Sequence, residues 1–587
     1  MGRLFFAAVA AAACVGGPVR SEPRADVQGE MDAALREVII RAVGVADTPI
    51  ENRFEARRRA RTAADDAAQA LHSEGYYGHQ VDPDVTDTEP PRAVIRVTPG
   101  RRFVVGRVGI DWQGAAPDPE AASAAEAALS LPAGMPARAA EVIAAEGRAV
   151  AAITAKGYAD AETQDREVIV DHADGTLKPT YRITSGPKVR LDGVEVSGPG
   201  RTDPDWVKRL APWTSGDVYR PDAVAELERR LLDTGVYDTV TVALAAPRDG
   251  VPLRPVVVGL EDRKPRTIET QASYATTDGA GVTARWTHYN RLGRADMVSL
   301  LGQLSQRDSR GEVELSLPHW RRPQQTLRLA TSAYREQTDA FDQTGAGLRA
   351  DVTRRYGRTS YATLGASADF GRTDELSART NSPLGRDLVT VAMLGDVALD
   401  RSNDPLNPTR GWRVSGRLEP TVILGDTNLP YLRAVAQGTY YQPLDARAAT
   451  VLAGRLRLGR IVNGTVDQIP ASQRFYAGGG GSVRGFPLQA VGPRLSDNTP
   501  RGGVFLFESA FEVRRDLTER WGFAAFVDAG AVGSSGAVDF GDLAVGAGVG
   551  VRYNLGFAPI RIDVATPVKR RRGEPPFQLY LSIGQSF

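Results

Sequence analysis

The sequence contains a single cysteine, Cys14, among 587 residues. One thiol excludes an intramolecular disulfide and a thiolate zinc cluster. The five histidines are scattered, with no HExxH and no close pair, so they indicate neither a metal site nor a catalytic centre. The chain also lacks an excess of charge of either sign, because 72 basic residues balance 71 acidic ones and the formal net charge is +1. We therefore expect no metal, no cofactor and no nucleic-acid partner.

Long hydrophobic runs are almost absent. The exception is the N-terminal MGRLFFAAVAAAACVGG, in which Arg3 precedes an apolar run and small residues follow. This run is too short to cross a bilayer and is typical of a secretory signal peptide, cleaved between about Ala13 and Glu22. A lipidated Cys14 is the alternative interpretation. No other segment has the roughly 18 consecutive apolar residues of a membrane helix, so an exported chain of this kind enters a membrane only as a barrel.

The first half of the chain repeats itself. A helix that ends at a glycine and leads into a strand recurs as LHSEGYYGHQV, ITAKGYADAE and LLDTGVYDTVTV, with the glycine at Gly75, Gly157 and Gly235. Glycine just past a helix favours the left-handed cap conformation, and the residue after it can pack back on the helix. A second marker, VTPGRRF and ITSGPKV, starts the next unit at Gly100 and Gly186. The pattern predicts three βααββ modules of about 80 residues each.

From about Arg266 the helical periodicity disappears, and short alternating segments recur between turn residues. Leu456 and Leu458, for example, alternate with Arg455 and Arg457. Charges at every second position are hard to place in a soluble sandwich, whose inner face is dry, but they are natural in a barrel with a wet interior. Sixteen candidate strands can be counted, an even number that suits a closed antiparallel barrel. The predicted fold class is therefore α+β modules followed by an all-β, 16-stranded transmembrane barrel.

The last eleven residues, FQLYLSIGQSF, predict the closing strand of this barrel. One parity is apolar and is expected to face lipid: Phe577, Leu579, Leu581, Ile583 and Phe587. Phe587 is expected in the aromatic girdle at the membrane interface. Gly584 lowers the β-propensity near the end of the strand and permits an inward bend. The alternative for this segment alone is a half-buried edge strand of a soluble sandwich.

One connection, from about 461 to 501, is far longer than the others, which favours a functional role. It contains RFYAGGGGSVRGF. The four glycines lack a following lysine in Walker spacing, so a phosphate cradle is rejected. A second glycine-rich stretch, GAGVGV at Gly546, lacks GxGxxG spacing and lies in an alternating strand, where small lumen-facing residues explain it better.

The strand GFAAFVDAG, 522–530, places Phe526 and Asp528 on the face opposite an apolar row. If the apolar row faces lipid, Asp528 points inward and a carboxylate there needs a partner. Arg484 in the long connection is the candidate, and the pair would fix the loop inside the lumen. The alternative is a solvated Asp528 in a wide pore with Arg484 exposed outside. Spacing alone leaves both open.

Taken together, three modules, a sixteen-strand barrel, SVRGF in the long loop, FVDAG in a late strand and the ending FQLYLSIGQSF resemble the POTRA-barrel assembly factors of outer membranes. Three POTRA domains are most similar to the outer-membrane subunit of the translocation and assembly module (TamA). The resemblance implies a lateral seam between the first and last strands. It also implies that the loop tip, Arg484, Gly485 and Phe486, packs against Phe526 and Asp528 inside the barrel. One departure is that only RADVQGEM is left for the first strand of the first POTRA domain.

The expected organisation is a signal peptide at 1–22, POTRA domains at 23–99, 100–185 and 186–264, and a barrel at 265–587. The resemblance implies an outer-membrane factor with periplasmic POTRA domains that inserts or translocates client proteins such as autotransporters, with an inner-membrane-anchored, periplasm-spanning partner (TamB-like). No nucleophile–base pair or cofactor loop stands out, so we expect no enzymatic activity. The alternatives are a two-partner-type secretion pore, for which there is no room for a plug helix before Met31, and a passive channel with periplasmic binding domains.

Overall fold

The computed structural model describes residues 22–46, 48–198, 200–247, 253–275, 279–357, 359–377, 380–535, 542–556, 558–571, 574–585 and 587. The predicted signal peptide, apart from Glu22, lies outside the described residues, and so does Cys14. The chain divides into two units. The first holds the first two modules with 186–193, 212–225 and 244–256 of the third, and the second holds the rest of the third module and all of the barrel strands.

The first module places its two helices on a three-stranded sheet, in which Ala93–Thr98 lies between Asp26–Gln28 and Gln80–Val85. Asp32 and Asn52 begin the helices, because their side chains accept the backbone N–H groups of Leu35 and Glu55. The elements are β1 (Glu22–Pro23), β2 (Asp26–Gln28), α1 (Ala33–Val43), β3 (Val45–Ala46), α2 (Arg53–Ser73), β4 (Gln80–Val85) and β5 (Ala93–Thr98). The short β2 lies inside RADVQGEM and pairs in parallel with β5, so this segment does supply a first strand.

The second module adds strands to the predicted pattern. The elements are β6 (Val104–Val105), β7 (Gly109–Trp112), α3 (Pro119–Leu129), α4 (Ala139–Thr154), β8 (Glu162–Thr163), β9 (Glu167–Asp171) and β10 (Thr176–Thr184). The central strand is β10, which pairs with β6, β7, β8 and β9. The core between helices and sheet contains Phe103, Ile153, Tyr181 and Ile183, all buried.

The third module follows the predicted order of elements. They are β11 (Arg190–Ser197), α5 (Pro204–Lys208), α6 (Pro221–Leu232), β12 (Tyr237–Leu244) and β13 (Leu253–Asp262), and the strands form a sheet of order β11-β13-β12. The repeated glycines that end the helices have the predicted left-handed backbone, with φ of 91° at Gly75, 105° at Gly157 and 71° at Gly235. The domain boundaries drawn from the sequence stay predictions.

Gly157 offers a stability test within one helix-to-strand junction. At its φ of 105° a side chain is strained, and a Cβ would lie 2.5 Å from Cγ1 of Val218. We expect Gly157→Ala to lower the local free energy of unfolding by about 1–3 kcal/mol. The matched control is Gly147→Ala in the interior of α4, where a Cβ meets no atom within 4 Å and helix propensity rises by about 1 kcal/mol. Amide hydrogen exchange of α4 in the full chain measures both effects, and equal protection in the two variants would contradict the assignment of Gly157.

The barrel is a sixteen-stranded antiparallel sheet in which each strand pairs with the next along the chain. Its strands are β14 (Arg266–Ala275), β15 (Gly279–Tyr289), β16 (Met297–Ser305), β17 (Asp308–Leu317), β18 (Gln325–Gln337), β19 (Phe341–Tyr356), β20 (Ser360–Leu376), β21 (Pro383–Asp400), β22 (Gly411–Gly425), β23 (Leu429–Pro443), β24 (Thr450–Val462), β25 (Phe505–Asp516), β26 (Trp521–Gly533), β27 (Ala544–Asn554), β28 (Pro559–Pro567) and β29 (Gln578–Ile583). Among the described residues no ladder joins β14 to β29.

The sixteen predicted strands are all present, and their ends differ from the predicted ones by up to five residues. From the sequence, two strands were expected at 359–372 and 411–420, and both run on, to Leu376 and to Gly425. The strand predicted at 577–587 is only Gln578–Ile583, because the chain turns at Gly584. Alternation places large apolar side chains on the outside along the whole barrel, including Leu304, Val313, Leu348, Leu364, Met393, Leu456, Val527 and Val549. No helix in the described part of the chain is long and apolar enough to cross a membrane.

Candidate functional site

The long connection between β24 and β25, residues 463–504, folds into the lumen of the barrel. Its Phe475, Val483 and Phe486 form an apolar cluster with Leu506 and Val532, which point inward from β25 and β26. All five side chains are at most 8% exposed. The loop therefore has an apolar core of its own, which it shares with the barrel wall.

Arg484 is the centre of these polar contacts and is 1% exposed. Its Nε and Nη2 donate to the two carboxylate oxygens of Asp528, at 2.7 and 2.9 Å, and its backbone N–H donates to the same group at 3.0 Å. Nη1 donates to Glu512 at 2.8 Å and to Asp563 at 3.1 Å. The guanidinium carbon lies 3.3 Å from the ring centroid of Phe526. The planar guanidinium group, with its five N–H donors, suits this combination of one bidentate contact and two single hydrogen bonds.

Of the two alternatives left open by the sequence, the structure contains the ion pair. Phe526 and Asp528 point inward and are buried, while Val527 faces outward and is 48% exposed. Gly485 of the loop tip has a φ of 99°, and Phe486 is 3% exposed in the apolar cluster. The five residues of the predicted loop tip and strand thus lie together inside the barrel. Their functional role stays a prediction.

Three further arginines complete the charge network around the loop tip. Arg514 donates to Glu512 at 2.8 Å, and Arg552 donates to Asp563 at 2.5 Å. Arg561 lies 3.5 Å from Asp563. Because the carboxylates of Glu512 and Asp563 are fully buried, each depends on these cations to offset the loss of hydration.

Glycines on β27 make the space in which the loop tip sits. A Cβ on Gly546 would overlap the carbonyl oxygen of Arg484, and a Cβ on Gly548 would lie 2.5 Å from Cζ of Phe526. A Cβ on Gly550 would overlap the carboxylate of Asp563. The stretch GAGVGV therefore has the lumen-facing role that its alternation predicted, and its lack of side chains lets backbone and ring approach the wall.

The main chain of the loop is held by the wall as well. Tyr580 of β29 accepts the N–H of Gly485 at 3.1 Å and donates to the carbonyl of Phe486 at 3.1 Å. Arg455 of β24 donates to the carbonyls of Gly481 and Ser482, at 2.9 and 2.7 Å. These contacts connect the loop to strands on both sides of the network centred on Arg484.

The last strand confirms the predicted faces and corrects the position of Phe587. Phe577, Leu579 and Leu581 face outward and are 61%, 46% and 66% exposed. Ile583 ends the strand, and the structure describes its backbone but not its side chain. At Gly584, with a φ of 88°, the chain bends inward as predicted.

Phe587 consequently lies inside the barrel, and the expectation that it joins the interfacial girdle was wrong. It packs on a cluster of Tyr441, Val451 and Ala453. Its ring lies 5.4 Å from the guanidinium carbon of Arg455 and 5.5 Å from that of Arg514. The parity of the strand cannot place a residue beyond the bend, because the left-handed glycine ends the alternation.

Sequence reasoning missed Glu512, Asp563, Arg455 and Tyr580. Each stands on the inward parity of its own strand, so the alternation gave a signal for its face. What the alternation does not give is register, which brings Glu512 opposite Phe526 and Asp563 opposite Tyr580.

Residues 290–587 match the family model described as the Omp85 superfamily domain. The chain belongs to the Omp85 superfamily. Residues 24–99 match a second model, described as POTRA domain TamA domain 1. The Omp85 barrel is thus preceded by a TamA-type POTRA domain, which agrees with the resemblance drawn from the sequence.

Relatives of this Omp85 chain include proteins described as outer membrane protein assembly factor BamA. The protein from Neisseria meningitidis serogroup B is 22% identical over 55% of this chain and 43% of its own length. That from Neorickettsia risticii is 22% identical over 68% of this chain and 56% of its own length. The chain thus spans about half the length of these relatives.

A crystal structure of BamA from Haemophilus ducreyi lacking POTRA domains 1–3 shares the fold, with a TM-score of 0.67 at 17% identity. It covers 82% of this chain and 100% of that one. The Omp85 barrel lies in the bacterial outer membrane, with its POTRA domains in the periplasm.

Proposed function

We propose that this protein is a TamA-type factor that assists the insertion or translocation of client proteins, autotransporters among them, without enzymatic turnover. The observation that carries the proposal is the last strand. β29 has six residues, whereas β20 to β24 have 13 to 18. Six residues offer few ladder hydrogen bonds, and the bend at Gly584 removes the rest of the strand from the wall. A barrel edge of this kind is suited to open and to pair with a client strand.

The POTRA domains supply a first contact for an unfolded client. In the first domain β2 and β4 are edge strands of their sheet, with β5 between them. A client can add a strand to such an edge through backbone hydrogen bonds, largely without regard to its sequence. A periplasm-spanning, TamB-like partner that docks on these domains is part of the proposal.

A passive channel fits the lumen less well. The loop fills it with an apolar cluster and a buried charge network, and those groups give up contacts if the loop leaves. We therefore favour a factor that works at its seam over one that conducts through its centre.

A tether across the seam tests the proposal. We expect a disulfide between Thr270→Cys in β14 and Leu579→Cys or Leu581→Cys in β29 to bring autotransporter assembly down to background. All three positions share the outward face, and a cross-link prevents the edges from separating. Assembly is measured as surface display in cells, with and without a membrane-permeant reductant, and the reductant should restore it.

The matched control uses the same first-strand position. Thr270→Cys with Ala284→Cys tethers β14 to β15, because these residues are register partners in an intact ladder. This pair leaves the seam free and should leave assembly unchanged. Normal assembly with the seam fully cross-linked would refute the seam mechanism.

A further inference from the structure

A cavity of about 410 Å³ lies at the periplasmic end of the barrel. Its walls are the turn after β15, the turn after β17 and helix α5, which belongs to the same unit as the barrel. Trp206, Leu210, Leu292, Leu317 and Trp320 form the apolar part of the lining. Tryptophan is enriched where a membrane protein meets the headgroup layer, and two of them border this cavity.

The polar part of the lining is uniformly basic. It contains Arg209, Arg294, Arg321 and Arg322 and no carboxylate among the described residues. All four arginines are exposed, and none of them has an ion pair within 4 Å in the described part of the chain. Arg321 stacks over the indole of Trp320, with its guanidinium carbon 4.5 Å from the ring. Asp205 lies near Arg209 but forms its ion pair with Lys208, so among the described residues none of the four guanidinium groups is taken up by a direct ion pair.

The turn that carries two of these arginines is held in a defined shape. His319 donates from Nε2 to the carbonyl of Arg230 at 2.9 Å and accepts the N–H of Gln324 at Nδ1, also at 2.9 Å. Burial lowers the pKa of His319, which keeps the imidazole neutral and suits one donor and one acceptor. His319 and Arg321 have φ of 54° and 60°, which non-glycine residues rarely adopt. The basic surface is therefore built into the turn.

One strand of the barrel, β17, connects this cavity with the lipid-facing surface. Leu317 lines it and belongs to the outward row of β17, together with Leu315 and Val313. Val313 and Leu315 in turn line an apolar depression with Leu329 and Leu348 on the next strands. The outward apolar row of β17 thus extends from this cavity toward the apolar depression on the lipid-facing surface.

We propose that this cavity binds one anionic phospholipid of the inner leaflet, with its phosphate on the arginines and an acyl chain along Leu317, Leu315 and Val313. Guanidinium forks match phosphate oxygens, and basic pockets at the membrane surface bind anionic headgroups. The apolar row accounts for a ligand with a chain, since a soluble phosphate would make no use of it. The lipid would rest between α5 of the third POTRA domain and the first turns of the barrel.

Lipid retention by the full-length protein tests this site. Native mass spectrometry in detergent, with phosphatidylglycerol and phosphatidylcholine of identical acyl chains, should show about tenfold preference for phosphatidylglycerol. Arg321→Gln with Arg322→Gln should remove the preference. The matched control, Arg354→Gln with Arg355→Gln, removes two exposed arginines from the end of β19 on the same rim and should keep it.

Two further measurements secure the interpretation without a variant. A phosphatidylglycerol with a photoreactive acyl chain should label the wild-type protein at 313–317, and labelling confined to other strands would overturn the site. Excess glycerol phosphate should compete poorly. Full displacement by glycerol phosphate or by an acidic peptide would assign the arginines to a soluble ligand, and equal retention of the two lipids would refute the proposal.

Discussion

Replacing Arg484 with alanine should release the loop from the lumen and raise the conductance of the barrel in planar bilayers. The substitution leaves the carboxylates of Glu512, Asp528 and Asp563 without their shared cation in a buried setting. Breaking a buried ion pair from one side costs about 3–5 kcal/mol, which is comparable with the total stability of many domains. We expect the unfolding temperature of the variant in detergent to be clearly lower than that of the wild type.

Two variants distinguish the loss of the ion pairs made by Arg484 from a general loss of positive charge. Arg501 belongs to the same loop, but its ion pair with Asp467 is 3.5 Å long and partly exposed. Arg501→Ala should cost less than about 1 kcal/mol and leave conductance low. Arg484→Lys keeps the charge and loses the fork, so it should fall between alanine and wild type. Equal behaviour of the Arg484 and Arg501 alanine variants would contradict the role given to Arg484.

Adding one methyl group at Gly546 should have a comparable effect through packing alone. The Cβ of Gly546→Ala would overlap the carbonyl oxygen of Arg484, so either β27 or the loop tip must move. Overpacking of this kind costs about 1–3 kcal/mol, and here the displaced group also carries the ion pairs. We expect higher conductance and a lower unfolding temperature, as for Arg484→Ala.

Gly454→Ala provides the control for that substitution. Gly454 lies within barrel strand β24, and a Cβ there meets no atom within 4 Å. Alanine should be neutral or slightly stabilising at this position, because it restricts the unfolded chain. If Gly546→Ala behaves like Gly454→Ala in both assays, the loop tip is not seated against β27 in the membrane.

Alternation of side chains was sufficient to predict the sixteen strands and the face of most residues on them. It placed Phe526 and Asp528 inward and made Arg484 the candidate partner, because an inward carboxylate requires one. It could not add Glu512 and Asp563 to the same site. Those residues lie on other strands, and the contact depends on strand register and on the path of a 42-residue loop, neither of which has a local sequence signal.

Phe587 shows a second limit of prediction from alternation, which fails where a strand bends. Its parity is that of Leu579 and Leu581, and a straight strand would have placed all three on the lipid face. The positive φ at Gly584 ends the alternation there, whereas the sequence prediction had continued the strand through the last four residues, 584–587. The glycine itself was visible, and the bend was foreseen, but its consequence for Phe587 depends on the cluster around Tyr441 that receives the ring.

The hydrogen bonds from Tyr580 to the loop tip constrain the order in which this barrel can assemble. The carboxylates that bind Arg484 stand on β25, β26 and β28, so the loop can dock while β29 is still unpaired. Once β29 has paired with β28, its Tyr580 borders the seat of the loop tip. We expect the loop to dock first and β29 to pair afterwards, with Tyr580 making its two contacts as the final step.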